Sequence, residues 1–250
     1  MRIAVFGDSF ASHQLGPECA YLGKSWIDVI AENNKVVNFG LVASCFQYSY
    51  ELFLKHSKDF DYNIFLVTEP NRKYIKSISN LFATSTKNRM TQRLGSHDFI
   101  DSLIEELVSS DIKDKEIYIN TLNSFKIYYN VWRDVEFELH VHDVLVRNIL
   151  NLKPNTLIVP CFEWSIPSFK PKDTVFTISL LEAISLGLDA DSPIFNDYQC
   201  VRKCHLSEKN NIILGNKILS AIDNKINFLN LDSEDFVFKL DKPIDYYLKK

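Results

Sequence analysis

Three short strand-like runs separated by helical spacing occupy the start of the chain, and this alternation constrains the fold more than any other feature. Residues 3–6, 35–39 and 61–67 each read as a strand, the first stopping at Gly7 and the third at Pro70. Between them, residues 23–33 set Trp26, Ile27 and Ile30 at helical spacing and stop at Asn33-Asn34. Residues 44–58 are also helical, with Tyr48, Leu52 and Lys55 on one side and Phe46, Tyr50 and Phe53 on another. Strands that alternate with helices pair in parallel through right-handed crossovers, which pack the helices against the sheet. The sequence therefore predicts an α/β fold built on a parallel sheet.

The remainder of the chain extends this pattern and enlarges one crossover. Residues 71–96 are polar and aperiodic, which predicts a mobile loop or lid. Helical stretches follow at 97–110, 114–132 and 134–150, the Tyr and Phe of 125–137 reading as core, and residues 155–160 form a fourth strand. Residues 162–197 are irregular, with Pro167, Pro171 and Pro193, but contain an apolar stretch at 175–188 that fits a helix. Residues 207–225 form a closing amphipathic helix with Ser207 as its N-cap and Ile212, Ile213, Leu219 and Ile222 as core positions. No linker composition divides the chain, so we expect one domain over 1–250, with a helical insertion around 71–150.

Composition narrows the partners. Hydrophobic residues at 46% with 24% charged residues supply a sizeable core, and no run approaches the ~18 apolar residues of a membrane span. A net charge of -4 with dispersed Lys and Arg argues against a nucleic-acid partner, because binders of phosphate backbones concentrate positive charge. Residues 3–6 are too short and too quickly followed by Asp8 for a secretory segment. With five irregularly spaced cysteines, this predicts free thiols and a cytoplasmic location.

Polar residues gather where the strands end. Gly7-Asp8-Ser9 follows the first strand, residues 38–44 the second, and Thr68-Glu69-Pro70-Asn71-Arg72 the third. Cys204-His205-Leu206-Ser207 precedes the last helix. Open α/β sheets bind ligands beyond the carboxyl ends of their strands, so these segments could bring a hydroxyl, amides and an imidazole to one site. That inventory suits acyl transfer.

In these residues the chain resembles the SGNH, or GDSL, hydrolases. Gly7-Asp8-Ser9-Phe10, the Asn38-x-Gly40 turn, Asn71 after the third strand and His205-Leu206-Ser207 follow the order of that family's blocks over most of the chain. The resemblance implies a three-layer α/β/α sandwich with a flavodoxin-like parallel sheet of about five strands. It also implies Ser9 as nucleophile, His205 as its base, and an oxyanion hole formed by the amides of Ser9 and Ala43 with the Asn71 side chain. Ala43 stands at the position of the family's second-block glycine, and the third block lacks Gly-x-Asn-Asp, Asn71 lying one residue out of register behind Pro70. Arg202 occupies the place of the acid three residues before the histidine. Asp197, Glu163 or a backbone carbonyl could take that role, or Ser9 and His205 could act as a dyad.

The expectation is a metal-independent and cofactor-independent serine esterase or acetylesterase acting on a small or carbohydrate-linked ester. The alternative is a catalytically impaired protein of the same fold that binds glycans or serves as a structural, virion-associated component. Asp8 stands beside the nucleophile as an acid or substrate contact, and Arg72 fits either a substrate carboxylate or a surface salt bridge. Glu69 with Glu163 could do glycosidic acid and base work instead. Cys200, Cys204 and His205 fall short of the four ligands of a closed zinc site, and His140 and His142 read as solvated helix residues.

Overall fold

A computed structural model describes residues 1–8, 10–11, 24–41, 44–68, 97–111, 113, 115–162, 166, 168–185 and 206–238. The strands are β1 (Arg2–Phe6), β2 (Lys35–Asn38), β3 (Tyr62–Val67) and β4 (Thr156–Pro160). Helix α1 (Trp26–Ala31) joins β1 to β2, and α2 (Phe46–His56) joins β2 to β3. Between β3 and β4 lie α3 (His97–Ser109), α4 (Lys115–Ile127), a π-helical turn (Tyr128–Trp132) and α5 (Val135–Leu152). Helices α6 (Val175–Ser185) and α7 (Glu208–Asp223) follow β4.

The strands form one sheet in the order β2-β1-β3-β4, with every pair parallel. Val5 pairs with Asn38 on one side and Ile64 on the other, and Ile64 pairs with Leu157. Both faces of β1, β3 and β4 are covered, which is why these strands are apolar throughout rather than alternating. On one face, Ile3, Val5, Ile64, Leu66, Leu157 and Val159 pack against Trp26, Ile27 and Ile30 of α1, Ile178 of α6, and Leu214 and Ile218 of α7. On the other, Ala4, Phe6, Phe65, Val67 and Ile158 pack against Phe46 and Phe53 of α2 and Val146 and Ile149 of α5. Each of the Val, Leu, Ile and Phe side chains among them stabilises the fold by about 1.5–3 kcal/mol through removal of apolar surface from water.

About five strands were expected, and four are found among the described residues. Beside β4 the chain makes a single parallel bridge, Ile158 to Phe228, in which the Ile158 amide donates to Asn227 O (2.8 Å) and the Leu229 amide to Ile158 O (2.9 Å).

Local signals explain where the helices begin. Ser25 caps α1 in a reciprocal box with Asp28, Asp134 caps α5 by accepting from the Phe137 amide (2.9 Å), and Ser207 caps α7 as its sequence predicts. The core stripe of α7 includes Ile222 as expected but is otherwise shifted: Leu214, Ile218 and Ala221 are buried with it, whereas Ile212 is exposed and Ile213 and Leu219 are only partly buried. The cause is the contact with α1, since a Cβ on Gly215 would lie 2.7 Å from Val29 Cβ. That close approach sets the rotation of α7. The aromatic segment after α4 also departs from its expected core position, with Trp132 73% and Phe137 63% exposed. It is held instead by the buried Glu138 carboxylate, which accepts from Arg133 Nε (2.8 Å) and Tyr128 Oη (3.2 Å).

Candidate functional site

The chain leaves β1 at Gly7, whose φ of 156° is a backbone conformation that side-chain-bearing residues rarely adopt. A Cβ there would come within 2.7 Å of Leu66 Cβ, so β3 lies hard against the turn. Asp8 is wholly buried. Its Oδ1 accepts from the Phe10 amide (3.1 Å) and its carbonyl from the Ala11 amide (3.0 Å). These two bonds close an Asx-type turn that brackets position 9 in the sequence. Asp8, proposed from sequence as an acid or substrate contact, is thus engaged in holding the turn.

The segment after β2 locks onto the same turn. The Asn38 amide nitrogen donates to Ala11 O, and Asn38 Oδ1 accepts from the Gly40 amide (2.7 Å). Gly40 is required there, because a Cβ would lie 2.6 Å from Ala11 Cβ and 2.9 Å from the Ala11 carbonyl carbon and oxygen. The Leu41 amide and the Ser44 hydroxyl both donate to Gly7 O at 3.0 Å, and the Ser44 amide donates to Leu41 O. The amides of Gly40, Leu41 and Ser44 are therefore all committed within the scaffold. A further anion donor from this segment would have to come from position 42 or 43. At the end of β3, Thr68 is fully buried and its hydroxyl has no hydrogen-bond partner among the described residues.

The start of α7 is tied to this edge through Trp26. The indole Nε1 donates to Phe10 O (2.8 Å), while the backbone amide of Trp26 donates to Asn211 Oδ1 (3.3 Å) in the first turn of α7. One turn earlier in the same contact, the Lys24 amide donates to Glu208 Oε1 (3.0 Å). Phe10 and Leu206 share one hydrophobic cluster with Phe162, whose ring meets Phe10 edge-on at 5.8 Å.

Glu182 was missed in the sequence. It is a buried acid on α6, and its Oε2 accepts from the Ser207 amide at 3.0 Å. Burial pushes its carboxyl above the usual range, and hydrogen bonding with Ser207 and Asn210 offsets this only in part. The available signal was a single carboxylate inside the apolar stretch 175–188.

Of the other sequence-nominated residues, Ser9, Ala43, Glu69, Asn71, Arg72, Glu163, Asp197, Cys200, Arg202, Cys204 and His205 lie outside the described residues, as does the expected loop at 71–96. Of the two helix histidines, His140 is exposed as expected, but His142 is buried with its ring 4.5 Å from that of Phe46. The α2–α5 packing takes it out of solvent. No helix among the described residues is long and apolar enough to cross a membrane.

Comparison with protein-family models and with curated proteins found no match to this chain.

Proposed function

We propose that the protein is a serine ester hydrolase of SGNH type, an esterase or acetylesterase acting on a small or carbohydrate-linked ester. The observation that carries this reading is the double attachment of Trp26. One hydrogen bond holds the turn that follows position 9 and another holds the helix that follows position 205, so residues from opposite ends of the chain share one anchor. The strand order adds support. β2-β1-β3-β4 agrees with the first four places of the flavodoxin-like order, in which ligands bind between the first and third strands at their carboxyl ends. The Gly7 turn and Thr68, whose hydroxyl has no partner among the described residues, follow the two strands that border that crevice.

In this mechanism Ser9 Oγ attacks the ester carbonyl as His205 takes its proton. The amides of Ser9 and Ala43, with the Asn71 side chain, hold the developing oxyanion, and each such donor contributes roughly 3 kcal/mol to the barrier reduction. His205 returns the proton to the departing alcohol. Water, deprotonated by His205, then releases the acid and regenerates Ser9. Arg72 contacts the substrate beyond the reacting carbonyl. The engagement of the Gly40, Leu41 and Ser44 amides supports Ala43 as the donor from the segment after β2.

The test is labelling by a fluorophosphonate probe together with turnover of p-nitrophenyl acetate. Ser9 is expected to carry the label, and Ser9→Ala to reduce kcat roughly 10⁴-fold or more. An unlabelled protein, or turnover unchanged by Ser9→Ala, overturns the proposal. Glycan binding without hydrolysis in such a protein would instead favour the non-catalytic alternative.

A further inference from the structure

The turn between α4 and α5 carries apolar side chains that the fold leaves in water. Ile127, Val131 and Val135 follow one another at intervals of four residues, as do Tyr128 and Trp132, and Phe137 lies in the first turn of α5. Their exposures run from 38% at Tyr128 to 73% at Trp132. The inward positions beside them are taken by Leu122 of α4 and Glu138 of α5. We propose that this apolar face is the docking surface for a second copy of the chain, giving a two-fold symmetric dimer. The proposal is independent of the hydrolase reading.

The face is built rather than loose. Glu138, buried behind it, accepts from Arg133 Nε and Tyr128 Oη, and these bonds hold the π-helical turn against the first turn of α5. The outward side chains are thereby presented in one arrangement before any partner arrives, which lowers the ordering cost of association. A π-helical turn within a helical run is itself found most often at functional positions.

Area and charge decide the partner. Aromatic side chains of about 150–250 Å² each, with the smaller Val and Ile, leave on the order of 600 Å² of apolar surface in water at these exposures. A standard interface buries about 800 Å² per partner, and homodimer interfaces are about 65% apolar, so one copy of such a dimer needs roughly 500 Å² of apolar surface. The face meets that need. Interfaces with unrelated partners are only about as apolar as ordinary protein surface, so a face this rich in Trp, Phe and aliphatic side chains fits self-association better. In the segment 127–137 the Arg133 charge is matched by Glu138, which leaves Asp134 and Glu136 as the exposed charges. Both are acidic, which disfavours an anionic lipid surface.

The experiment is sedimentation velocity of the full chain over a range of concentrations, with hydrogen exchange measured on the same samples. The unaltered chain is expected to reach a dimer, and the amides of residues 127–137 to gain protection as it does. Trp132→Lys and Phe137→Lys alter side chains that are mostly in water in the single chain, so both should fold with unchanged circular dichroism. Each should weaken association roughly 30-fold or more, as loss of a central aromatic anchor does. Leu54→Lys, at a half-exposed apolar position on α2, should leave the dimer intact. A chain that stays monomeric at every concentration overturns the proposal, whether acrylamide quenching compared with Trp132→Phe then shows Trp132 covered by its own chain or phosphatidylcholine vesicles bind it. A dimer that persists in both lysine variants overturns it as well, because its interface lies elsewhere. If those variants do not fold, hydrogen exchange of the unaltered chain decides, and a dimer without added protection at 127–137 overturns the proposal.

Discussion

Gly40 shows how little room the candidate site leaves to its own backbone. Its missing side chain admits the Ala11 carbonyl, which in turn takes the Asn38 hydrogen bond, so the last residue of β2, a glycine just after it and one residue after β1 form a single locked contact. Alanine at this position would need space already occupied by backbone rather than by a flexible side chain. Gly40→Ala is therefore expected to cost about 1–3 kcal/mol in chemical denaturation, and to reduce probe labelling of Ser9 by more than that stability loss explains. An unchanged denaturation midpoint would refute the close approach. The Asn-x-Gly pattern was visible in the sequence, but its work was not. The expected donor of this segment is Ala43, and the part played by Gly40, whose amide donates to Asn38, is a pairing that only the folded backbone reveals.

Among the elements, α5 depends on one charged contact with the loop after β4. Asp143 accepts from the Ser168 hydroxyl and amide and from Arg147 one turn along the helix. Burial pushes its carboxyl up, but these hydrogen bonds outweigh burial and hold it below the usual range. A carboxyl depressed in the folded state contributes stability above its unfolded pKa, near 3.9, and loses that contribution as pH falls through the folded value. Asp143→Asn should thus be less stable by roughly 1–3 kcal/mol near neutral pH, with the gap closing on acidification. Thermal melts at a series of pH values read this directly, and a gap that persists in acid would contradict it. The helices themselves were legible because periodicity and caps are local: Ser207 and the boundaries of the fourth strand and closing helix emerge nearly as expected. The facing of α7 was not legible, because it is decided by Val29 from another helix. The exposure of Trp132 and Phe137 was hidden for a related reason, since the buried Glu138, not apolar packing, secures that segment.

At the scale of the molecule, alternating strands and helices were enough to foresee a parallel sheet, and burial on both faces follows from the continuous apolar strands. The positions of the chemistry were harder to read. Strand ends pointed to the carboxyl edge, but the tie through Trp26 and the approach of Glu182 join segments distant in sequence, for which no local pattern exists. The bridge at β4 has a consequence for motion. Ile158 lies in the middle of its strand, yet its amide hydrogen is held by Asn227, a residue that arrives only after the last helix. In hydrogen–deuterium exchange, Ile158 should therefore follow detachment of the segment after α7 and exchange sooner than the Ile64 amide of β3, which has paired strands on both sides. Equal protection of the two amides would show that this segment releases only when the whole sheet does. Ile158 is thus a reporter, placed inside the sheet, for whether the chain's last turn around the fold has been completed.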